Sequence, residues 1–496
     1  MRGIMSVLSE LLEELLETKS ININQLSKLS GISRATLHHY VHGRRPVQKQ
    51  EHIDAIASAL TLSPSEMEKV KSAFLIETIG EQLYSQRLAI YSFFRNLNSN
   101  RIRENTDLNT VEISEAQTDI KRESAAYDQK PEVVSAIYNV LRESVQQHDS
   151  VMLYADPTSA SLKSILLSPA WNFSTVDFKH IFRLESVNYK RNNNNLDIIE
   201  AVVNYATAIQ KYHPMFFYEA YSDADSVFQL TEFIASEHEV IQFSRDCNHA
   251  IRHTEKSIID MFRNIFKGMQ NKCHSLGRAV SYKIGVQYDV YRICDELFNE
   301  SRDIEPEREE ELLLAVSGGV ALNNYWTSEM TKTYISRDID DENASEYSYD
   351  RPHVFGEMTG NINLISVMRK DALKSFLKNG KIVGFPDEML NMPVRKEDRK
   401  LIANNMIQQI QKGKATIALI DPDKMPLQEN WGVIALKERT HLYNYSHMNM
   451  YCIPVFERSF SFAVHDYFMD IIRNESTTRD NDAVVQIREW IDKYLS

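Results

Sequence analysis

The stretch QLSKLSGISRATLHHYVHG, residues 25–43, decides the fold of the N-terminal region. Two short amphipathic segments flank Gly31, and glycine takes a positive φ at a turn with little steric cost. Ser33 can cap the second segment, because its hydroxyl accepts a hydrogen bond from a free N–H of the first helical turn. The stretch therefore predicts a helix-turn-helix. Its apolar contacts would come from Leu26, Leu29, Ile32, Leu37 and Val41.

Helical periodicity continues on both sides of this stretch. Apolar residues recur every three or four positions from Val7 to Leu16 and from Gln48 to Leu60, which predicts a first and a fourth helix. Asn24 and Ser63 are the predicted N-caps of the second and fifth helices. Residues 1–75 therefore form a predicted all-α domain of five helices.

This region resembles the Cro/C1-type (XRE) helix-turn-helix family of transcriptional regulators. Gly43-Arg44-Arg45-Pro46 and the segment IDAIASALTLS, residues 53–63, match the basic loop and closing helices of the family in their order. Asn22-Ile23 and Val41 depart from the residues that the family favours there. The departures concern phosphate contacts and not the fold. The resemblance covers about residues 5–75, and it implies binding to double-stranded DNA.

The resemblance also implies a role for individual residues. Arg34, Ala35 and His38 would face base edges in the major groove, with Arg34 able to contact a guanine bidentately. Basic and hydroxyl side chains around them would hold phosphates. A module that serves only protein contacts is the alternative. The predicted DNA-binding residues are Ser33, Arg34, Ala35, Thr36, His38, His39, Arg44, Arg45 and Lys49.

The chain of 496 residues is too long for one hydrophobic core, so roughly three domains are expected.

The distribution of charge limits where DNA can bind. The formal net charge of the chain is −13, yet residues 1–75 hold nine Lys/Arg against eight Asp/Glu. Because DNA phosphates attract positive surfaces, we expect the acidic remainder not to wrap DNA.

Cysteine usage and hydropathy bear on the compartment. The cysteines are scattered, without the spacing of a zinc site or of a disulfide framework. No apolar run reaches the roughly 18 residues of a membrane span, and residues 1–17 lack the order of a secretory signal. These patterns predict a cytoplasmic protein with no membrane contact, no metal and no cofactor. The four cysteines are Cys247, Cys273, Cys294 and Cys452.

The composition and periodicity of the sequence change after residue 75. A helical pattern leads into residues 98–130, whose polar composition predicts a linker. Short apolar runs then predict strands at Val151–Tyr154, Ile181–Leu184, Met215–Tyr218 and Val240–Phe243. Residues 246–300 read as mostly helical, and residues 336–350 as a solvated loop.

We therefore expect a multidomain fold, in which the all-α helix-turn-helix domain precedes an α/β (α+β) body. The predicted domains are the helix-turn-helix domain at 1–75, a helical spacer and polar linker at 76–130, a first α/β lobe with a helical extension at 131–300, and a second α/β lobe at 301–496.

The body contains a candidate internal repeat. Residues 132–157 match residues 397–422 without a gap, which aligns Asp156-Pro157 with Asp421-Pro422. Each copy reads as helix, strand and turn, so two related lobes from a divergent duplication are expected. A chance match between two helix–strand units is the alternative. The lobes would also suit a degenerate phospholipase D-like pair, but the His-x-Lys pattern of that superfamily is absent from the sequence, and no phosphodiesterase is predicted.

Several motifs of the body are weaker candidates for chemistry. Cys247, His249 and His253 could hold a metal if the histidines lie on a helix, although exposed helix histidines are commoner. The segment SGGVALN, residues 317–323, is similar to phosphate-binding glycine turns, but a structural turn is favoured. Asp156 and Asp421 end strands where α/β folds place ligands, yet Asp-Pro is also a plain turn. The aromatic run Phe216-Phe217-Tyr218 is favoured as a buried strand over a pocket lining.

Three functions remain open. The first is a sequence-specific regulator, a homodimer whose body senses a small-molecule or peptide effector or mediates assembly. The second is an enzyme or defence-type effector whose helix-turn-helix controls its own promoter, with no catalytic residue identified. The third is a scaffold or antitoxin-like partner binder.

Overall fold

The structure is a computed structural model, and it divides the chain into two compact units, Met1–Ala89 and Ile90–Ser496. None of the helices in this description is both long and apolar enough for a membrane span. The residues described are 6–97, 124–168, 176–185, 194–209, 211–219, 231–277, 280–283, 312–320, 322, 325, 327–334, 363–384, 392–436, 439–446, 449–473 and 477–496.

The N-terminal unit is helical, as predicted. A sixth helix, α6 (Glu81–Asn96), follows the five predicted ones and crosses the boundary between the units. The five helices enclose one apolar core, to which Leu12, Leu37 and Ile53 each contribute a buried side chain. Burial of one such side chain stabilises the fold by about 1.5–3 kcal/mol. The five are α1 (Val7–Thr18), α2 (Ile23–Ser30), α3 (Arg34–Val41), α4 (Gln50–Ala59) and α5 (Pro64–Ile79).

Helix caps explain where these helices begin. Ser33 caps α3 and Ser63 caps α5, as predicted. The predicted cap at Asn24 is wrong, because Asn22 caps α2. The side chain of Asn22 accepts from the N–H of Gln25, whose own side chain accepts from the N–H of Asn22. This reciprocal pair satisfies two free donors, which a cap at the later asparagine would leave open.

The first lobe of the body is an eight-stranded mixed sheet with the order β1-β7-β6-β5-β2-β3-β4-β8. Strands β2, β3 and β4 are parallel, and the other neighbours are antiparallel. The elements are β1 (Ala125–Tyr127), α7 (Lys130–Gln147), β2 (Val151–Tyr154), α8 (Ala160–Leu166), β3 (Phe178–Glu185), α9 (Asn194–Ala208), β4 (Tyr212–Glu219), β5 (Glu232–Ala235), β6 (Val240–Phe243), β7 (Ala250–His253), α10 (Lys256–Gln270) and β8 (His274–Ser275).

The second lobe is another eight-stranded mixed sheet, with the order β16-β12-β11-β10-β13-β14-β15-β9. Here β10, β11 and β12 are parallel. The elements are β9 (Val280–Lys283), β10 (Leu312–Ser317), α11 (Ser328–Tyr334), β11 (Asn363–Arg369), α12 (Lys370–Asn379), α13 (Lys396–Gln411), β12 (Ala415–Ile420), β13 (Trp431–Leu436), β14 (Arg439–Ser446), β15 (Asn449–Val455), α14 (Arg458–Arg473), β16 (Thr478–Arg479) and α15 (Asp480–Tyr494).

The two sheets share one topology. When the second order is read from β9 to β16, each of its strands stands eight numbers after the strand at the same place in the first order. Each pair of neighbouring strands is also parallel or antiparallel in both sheets alike. The expected pair of related lobes is therefore present. The alignment of 132–157 with 397–422 is nevertheless wrong, because it equates β2 with β12, whereas the shared topology equates β2 with β10.

Other sequence predictions for the body have mixed outcomes. Strands β2 and β6 have the predicted bounds, and β3 and β4 are longer than predicted. The mostly helical character expected of residues 246–300 is wrong for the described part, which holds β7, β8 and β9 beside α10. Residues 98–123 of the predicted linker and the predicted loop at 336–350 lie outside the described residues.

Candidate nucleic-acid interface

The turn of the motif is built by Gly31 and the serines of α2. Gly31 ends α2 with φ +72°, and its N–H donates to the carbonyl oxygen of Ser27 at 3.1 Å. The hydroxyl of Ser27 donates to the carbonyl oxygen of Ile32 at 2.6 Å, and that of Ser30 donates to the carbonyl oxygen of Leu26 at 2.7 Å. A residue with a Cβ adopts this φ only at a cost. The predicted glycine turn is confirmed.

Ser33 opens the helix that the sequence assigns to the major groove. Its Oγ accepts from the backbone N–H of Thr36 at 3.2 Å, and the two hydroxyl oxygens lie 2.8 Å apart. The cap satisfies one free N–H of the first turn of α3. The positive end of the helix dipole favours an anion at this terminus, so the terminus suits a DNA phosphate.

Helix α3 has one buried face and one exposed face. Leu37, Tyr40 and Val41 are buried in the core of the unit. The opposite face carries the predicted DNA-binding residues of the helix and its cap. Of these, Ser33, Arg34, Ala35 and His39 are exposed, and Thr36 and His38 are half-buried.

Buried hydrogen bonds hold α3 from behind. The hydroxyl of Ser9 on α1 donates to the carbonyl oxygen of Tyr40 at 2.8 Å. The Tyr40 hydroxyl lies 2.8 Å from Nδ1 of His52 on α4. Neighbouring helices thus fix both the backbone and the side chain at the end of α3, so its exposed face has a defined orientation.

The basic loop after α3 points its charges to solvent. Gly43 has φ +62°, and the N–H of Arg44 donates to the carbonyl oxygen of His39 at 2.9 Å. Arg44, Arg45 and Lys49 are all exposed, whereas Val47 is buried and anchors the loop. The structure therefore brings these three predicted phosphate contacts to the surface beside the C-terminal end of α3.

The histidines of α3 form a cluster that the predicted site includes only in part. The rings of His38 and His42 lie 4.3 Å apart, and those of His38 and His39 lie 6.3 Å apart. Partial desolvation and the adjacent positive charges of His42, Arg44, His39 and Arg34 lower the pKa of His38. His42 was missed, although its spacing of four residues from His38 was the available signal.

Residues 12–71 match the Cro/C1-type HTH DNA-binding domain. The match runs from within α1 to within α5, so it contains the Gly31 turn and all of α3. The N-terminal unit contains a Cro/C1-type helix-turn-helix domain. This Cro/C1-type domain supports binding to double-stranded DNA, and with it a DNA-binding regulator.

Solved structures that align with more than half of the chain are only distantly similar to it. The polyphosphate kinase from Porphyromonas gingivalis is 11% identical, with 76% of this chain and 54% of the kinase covered and a TM-score of 0.22. The archaeal chromatin protein TrmBL2 is 12% identical, with 53% and 98% covered and a TM-score of 0.22.

The phosphatidylserine synthase of Haemophilus influenzae Rd KW20 is 8% identical, with 76% of this chain and 93% of the synthase covered and a TM-score of 0.22. Such TM-scores carry no argument about the body. The chain spans about half the length of the polyphosphate kinase. No curated protein matches the chain.

Outside the Cro/C1-type domain, the three residues weighed as metal ligands do not share a helix. Cys247 is buried in the turn between β6 and β7 with φ +57°, and His253 ends β7. His249 lies in the same turn, where Nδ1 is 3.5 Å from an oxygen of Asp128. Within the described ranges, no three potential ligands gather around one point.

The glycine segment after β10 is a packed turn. A Cβ at Gly318 would overlap the carbonyl oxygen of Gln428, and one at Gly319 would overlap that of Val383. Both glycines are therefore needed for close backbone packing. The structural turn that the sequence favours accounts for this segment.

The two Asp-Pro positions differ from each other. Asp421 begins a turn closed by a hydrogen bond from the N–H of Lys424 at 3.0 Å. Asp156 follows β2 and lies among charged side chains: it is paired with Arg245, and Thr158 donates to its Oδ1 through both N–H and hydroxyl. Burial opposes its ionisation, but these hydrogen bonds and the charge of Arg245 lower the pKa of Asp156.

The aromatic run lies on β4. Phe216 is buried, in keeping with the favoured strand interpretation, whereas Tyr218 is 40% exposed. The Tyr218 hydroxyl donates to Oε1 of Glu457 at 2.8 Å. The run therefore serves packing and a hydrogen bond to the second lobe.

Proposed function

We propose that the protein is a sequence-specific transcriptional regulator that binds operator DNA through α3 as a homodimer, with a body that senses an effector. One observation carries the proposal: α3 buries its apolar face while its N-terminal residues Ser33, Arg34 and Ala35 are exposed. Side chains at this end of a recognition helix reach base edges in the major groove. An arginine there can donate two hydrogen bonds to one guanine.

The remaining charges suit a positioning role. Arg44, Arg45 and Lys49 are exposed beyond the C-terminal end of α3, where they can contact phosphates without reading sequence. The homodimer follows from the size of the module, since one short helix offers few base contacts. Two modules on half-sites about one helical turn apart would supply the missing affinity and specificity.

A titration of full-length variants tests this function. An operator is first selected from random duplexes, and binding is then followed by fluorescence anisotropy at several salt concentrations. We expect Arg34→Ala to weaken operator binding by about 5- to 150-fold, the equivalent of roughly 1–3 kcal/mol. We expect Arg45→Ala to weaken binding to all duplexes and to reduce the salt slope by about one.

Lys71→Ala is the matched control, since it removes one exposed charge from α5 in the same unit. It should bind as the unaltered protein does. If Arg34→Ala and Arg45→Ala also bind every duplex like the unaltered protein, α3 and its loop do not contact DNA and the proposal is wrong.

A second candidate function has one observation in its favour. Buried acids with perturbed pKa values beside a cavity are typical of catalytic sites, and Glu232 and Asp156 lie beside one in the first lobe. This would suit an enzyme or effector body whose helix-turn-helix controls its own promoter. Chemical conversion of a molecule bound in that cavity, followed by mass spectrometry, would favour this function over a sensor.

A further inference from the structure

A cavity lies at the carboxyl ends of the parallel strands of the first lobe. Its larger part has a volume of about 340 Å³ and opens between Asp156, Lys163 and Glu200. A smaller hollow of about 20 Å³ adjoins it through the shared residues Asp156 and Ile198. The smaller volume suffices for one water-sized group. An α/β sheet places ligands at this edge, so the position is suited to binding.

The smaller hollow contains a buried carboxyl group with an unused oxygen. Glu232 begins β5 and is 4% exposed. Its Oε1 accepts from the backbone N–H of Asp156 at 3.0 Å, but its Oε2 has no hydrogen-bond partner among the described residues. A buried polar atom without a partner costs about 1–3 kcal/mol. Such an atom beside a cavity indicates that a partner arrives from outside the protein.

The charges around the two hollows favour a cation. Four carboxyl groups and three basic groups line the two parts, so one negative charge is in excess when all four carboxyl groups are ionised. Burial raises the pKa of Glu232 to about 8, and burial also raises the pKa of Glu200. An opposite charge entering the cavity would allow both groups to ionise. The basic groups are Lys163, Arg183 and Arg245.

The described residues of the second lobe differ at the corresponding edge. Where Asp156 follows β2, Gly318 and Gly319 follow β10, and their backbones pack against neighbouring carbonyl groups. Arg369 at the end of β11 is paired with Asp371 and Glu429 at 2.6 and 2.9 Å. Among the described residues of the second lobe, this edge is therefore packed by backbone contacts and ion pairs, whereas the edge of the first lobe carries the cavity.

We propose that this cavity binds a small organic amine, whose ammonium group occupies the hollow beside Glu232 and Asp156 and whose chain lies in the larger part. A primary ammonium group is the size of a water molecule and offers three donors. The volume of the larger part exceeds what a bare metal ion needs. The inference deepens the proposed sensing function, on which it rests for its regulatory meaning.

Binding should release a proton. The neutral carboxylic acid of Glu232 loses its proton to solvent, and the resulting carboxylate accepts a hydrogen bond from the ammonium group of the ligand. The ligand itself stays protonated, because alkyl amines have pKa values near 10. The groups that face Glu232 are Asp156 after β2, Arg183 on β3, and Arg245 and Cys247 after β6.

Isothermal titration calorimetry of the full-length protein with putrescine tests the proposal, with 1,4-butanediol as the uncharged probe of equal length. We expect putrescine to bind at least tenfold more tightly than the diol and to release about one proton, measured from the heats in two buffers. Its affinity should rise about tenfold from pH 6.5 to pH 7.5, where Glu232 becomes ionised more easily. Equal binding of the two probes would overturn the proposal.

Variants locate the site. Glu232→Gln should weaken putrescine binding at least tenfold and abolish its pH dependence, while Glu237→Gln on the exposed β5–β6 turn should change neither. If Glu232→Gln does not fold, the test uses Glu200→Gln in the larger part of the cavity, which should weaken putrescine binding severalfold. Unchanged binding in the folded variants, or displacement of putrescine by equimolar Mg²⁺, would overturn the amine site. These titrations contain no DNA, so their failure leaves the operator titration unaffected.

Discussion

Ser9 donates a buried hydrogen bond of 2.8 Å to the carbonyl oxygen of Tyr40. The bond joins α1 to the last turn of α3, at residues 31 positions apart in the chain. The first helix therefore supports the helix that presents Arg34 to solvent.

Ser9→Ala should loosen α3. Loss of a buried hydrogen bond costs about 1 kcal/mol, which corresponds to about fivefold faster amide exchange through local opening. Hydrogen exchange of the α3 amides, measured by mass spectrometry on the full chain, checks this. Ser58→Ala, an exposed position on α4, is the control. Equal exchange in the two variants would contradict a supporting role for Ser9.

Gly31→Ala should destabilise the turn through its backbone conformation alone. A Cβ at Gly31 meets no atom within 4 Å, so φ +72° and not crowding sets the cost, about 1 kcal/mol. Gly31→Asn should cost less, because asparagine tolerates the left-handed region better than alanine. Exchange of the α2 amides should be slowest in the unaltered protein, faster in Gly31→Asn and fastest in Gly31→Ala. A larger loss for asparagine than for alanine would refute the explanation from φ.

DNA binding should strengthen on acidification through His38. Partial desolvation and then the positive charges around it lower the pKa of His38, so its ring in the free protein is protonated at a lower pH than an ordinary histidine. Protonation at lower pH adds a positive charge to the surface that faces the DNA phosphates. DNA binding is therefore coupled to the uptake of a proton. Affinity for any duplex should rise as the pH falls from 7.5 to 5.5.

The variant that isolates this effect is His38→Gln, in which the rise in DNA affinity on acidification should be smaller. His274→Gln, an exposed histidine on β8 in the body, should retain the full rise. Anisotropy titrations at four pH values provide the comparison. A pH dependence that is identical in the two variants would assign the effect to other groups.

Tyr218→Phe should weaken the contact between the two lobes. The Tyr218 hydroxyl donates to Glu457, which is fully buried and also accepts from the N–H of Phe460 at 2.7 Å. Loss of the donor should cost about 1 kcal/mol and lower the melting temperature by about 2 °C. Thermal unfolding followed by tryptophan fluorescence measures this. Tyr127→Phe on β1 is the control, and an equal shift in both would remove the special role of Tyr218.

Local signals predicted the N-terminal unit well. Gly31 and Ser33 act through hydrogen bonds to residues within four positions, so the sequence alone contains their causes. The cap of α2 was misplaced at Asn24, although Gln25 stands three residues after Asn22 in the order of a capping box. The strands Val151–Tyr154 and Val240–Phe243 were also predicted to the residue.

The body was less predictable because the order of its strands depends on pairing between residues that are far apart in the chain. Helix–strand units recur within each lobe, so the alignment that joined β2 to β12 matched units of different position. The cluster around Asp156 unites it with Glu232, 76 residues later, and with Arg245, 89 residues later. No local pattern marks such a cluster, and only the sheet order brings its members together.

The most direct test of the central claim is a double-mutant cycle between Arg34 and one operator base. Each guanine of the selected operator is replaced in turn, and both the unaltered protein and Arg34→Ala are titrated with every duplex. We predict that one replacement weakens the unaltered protein by about 5- to 150-fold but leaves Arg34→Ala unaffected. If Arg34→Ala discriminates every base as the unaltered protein does, α3 does not read the operator through Arg34.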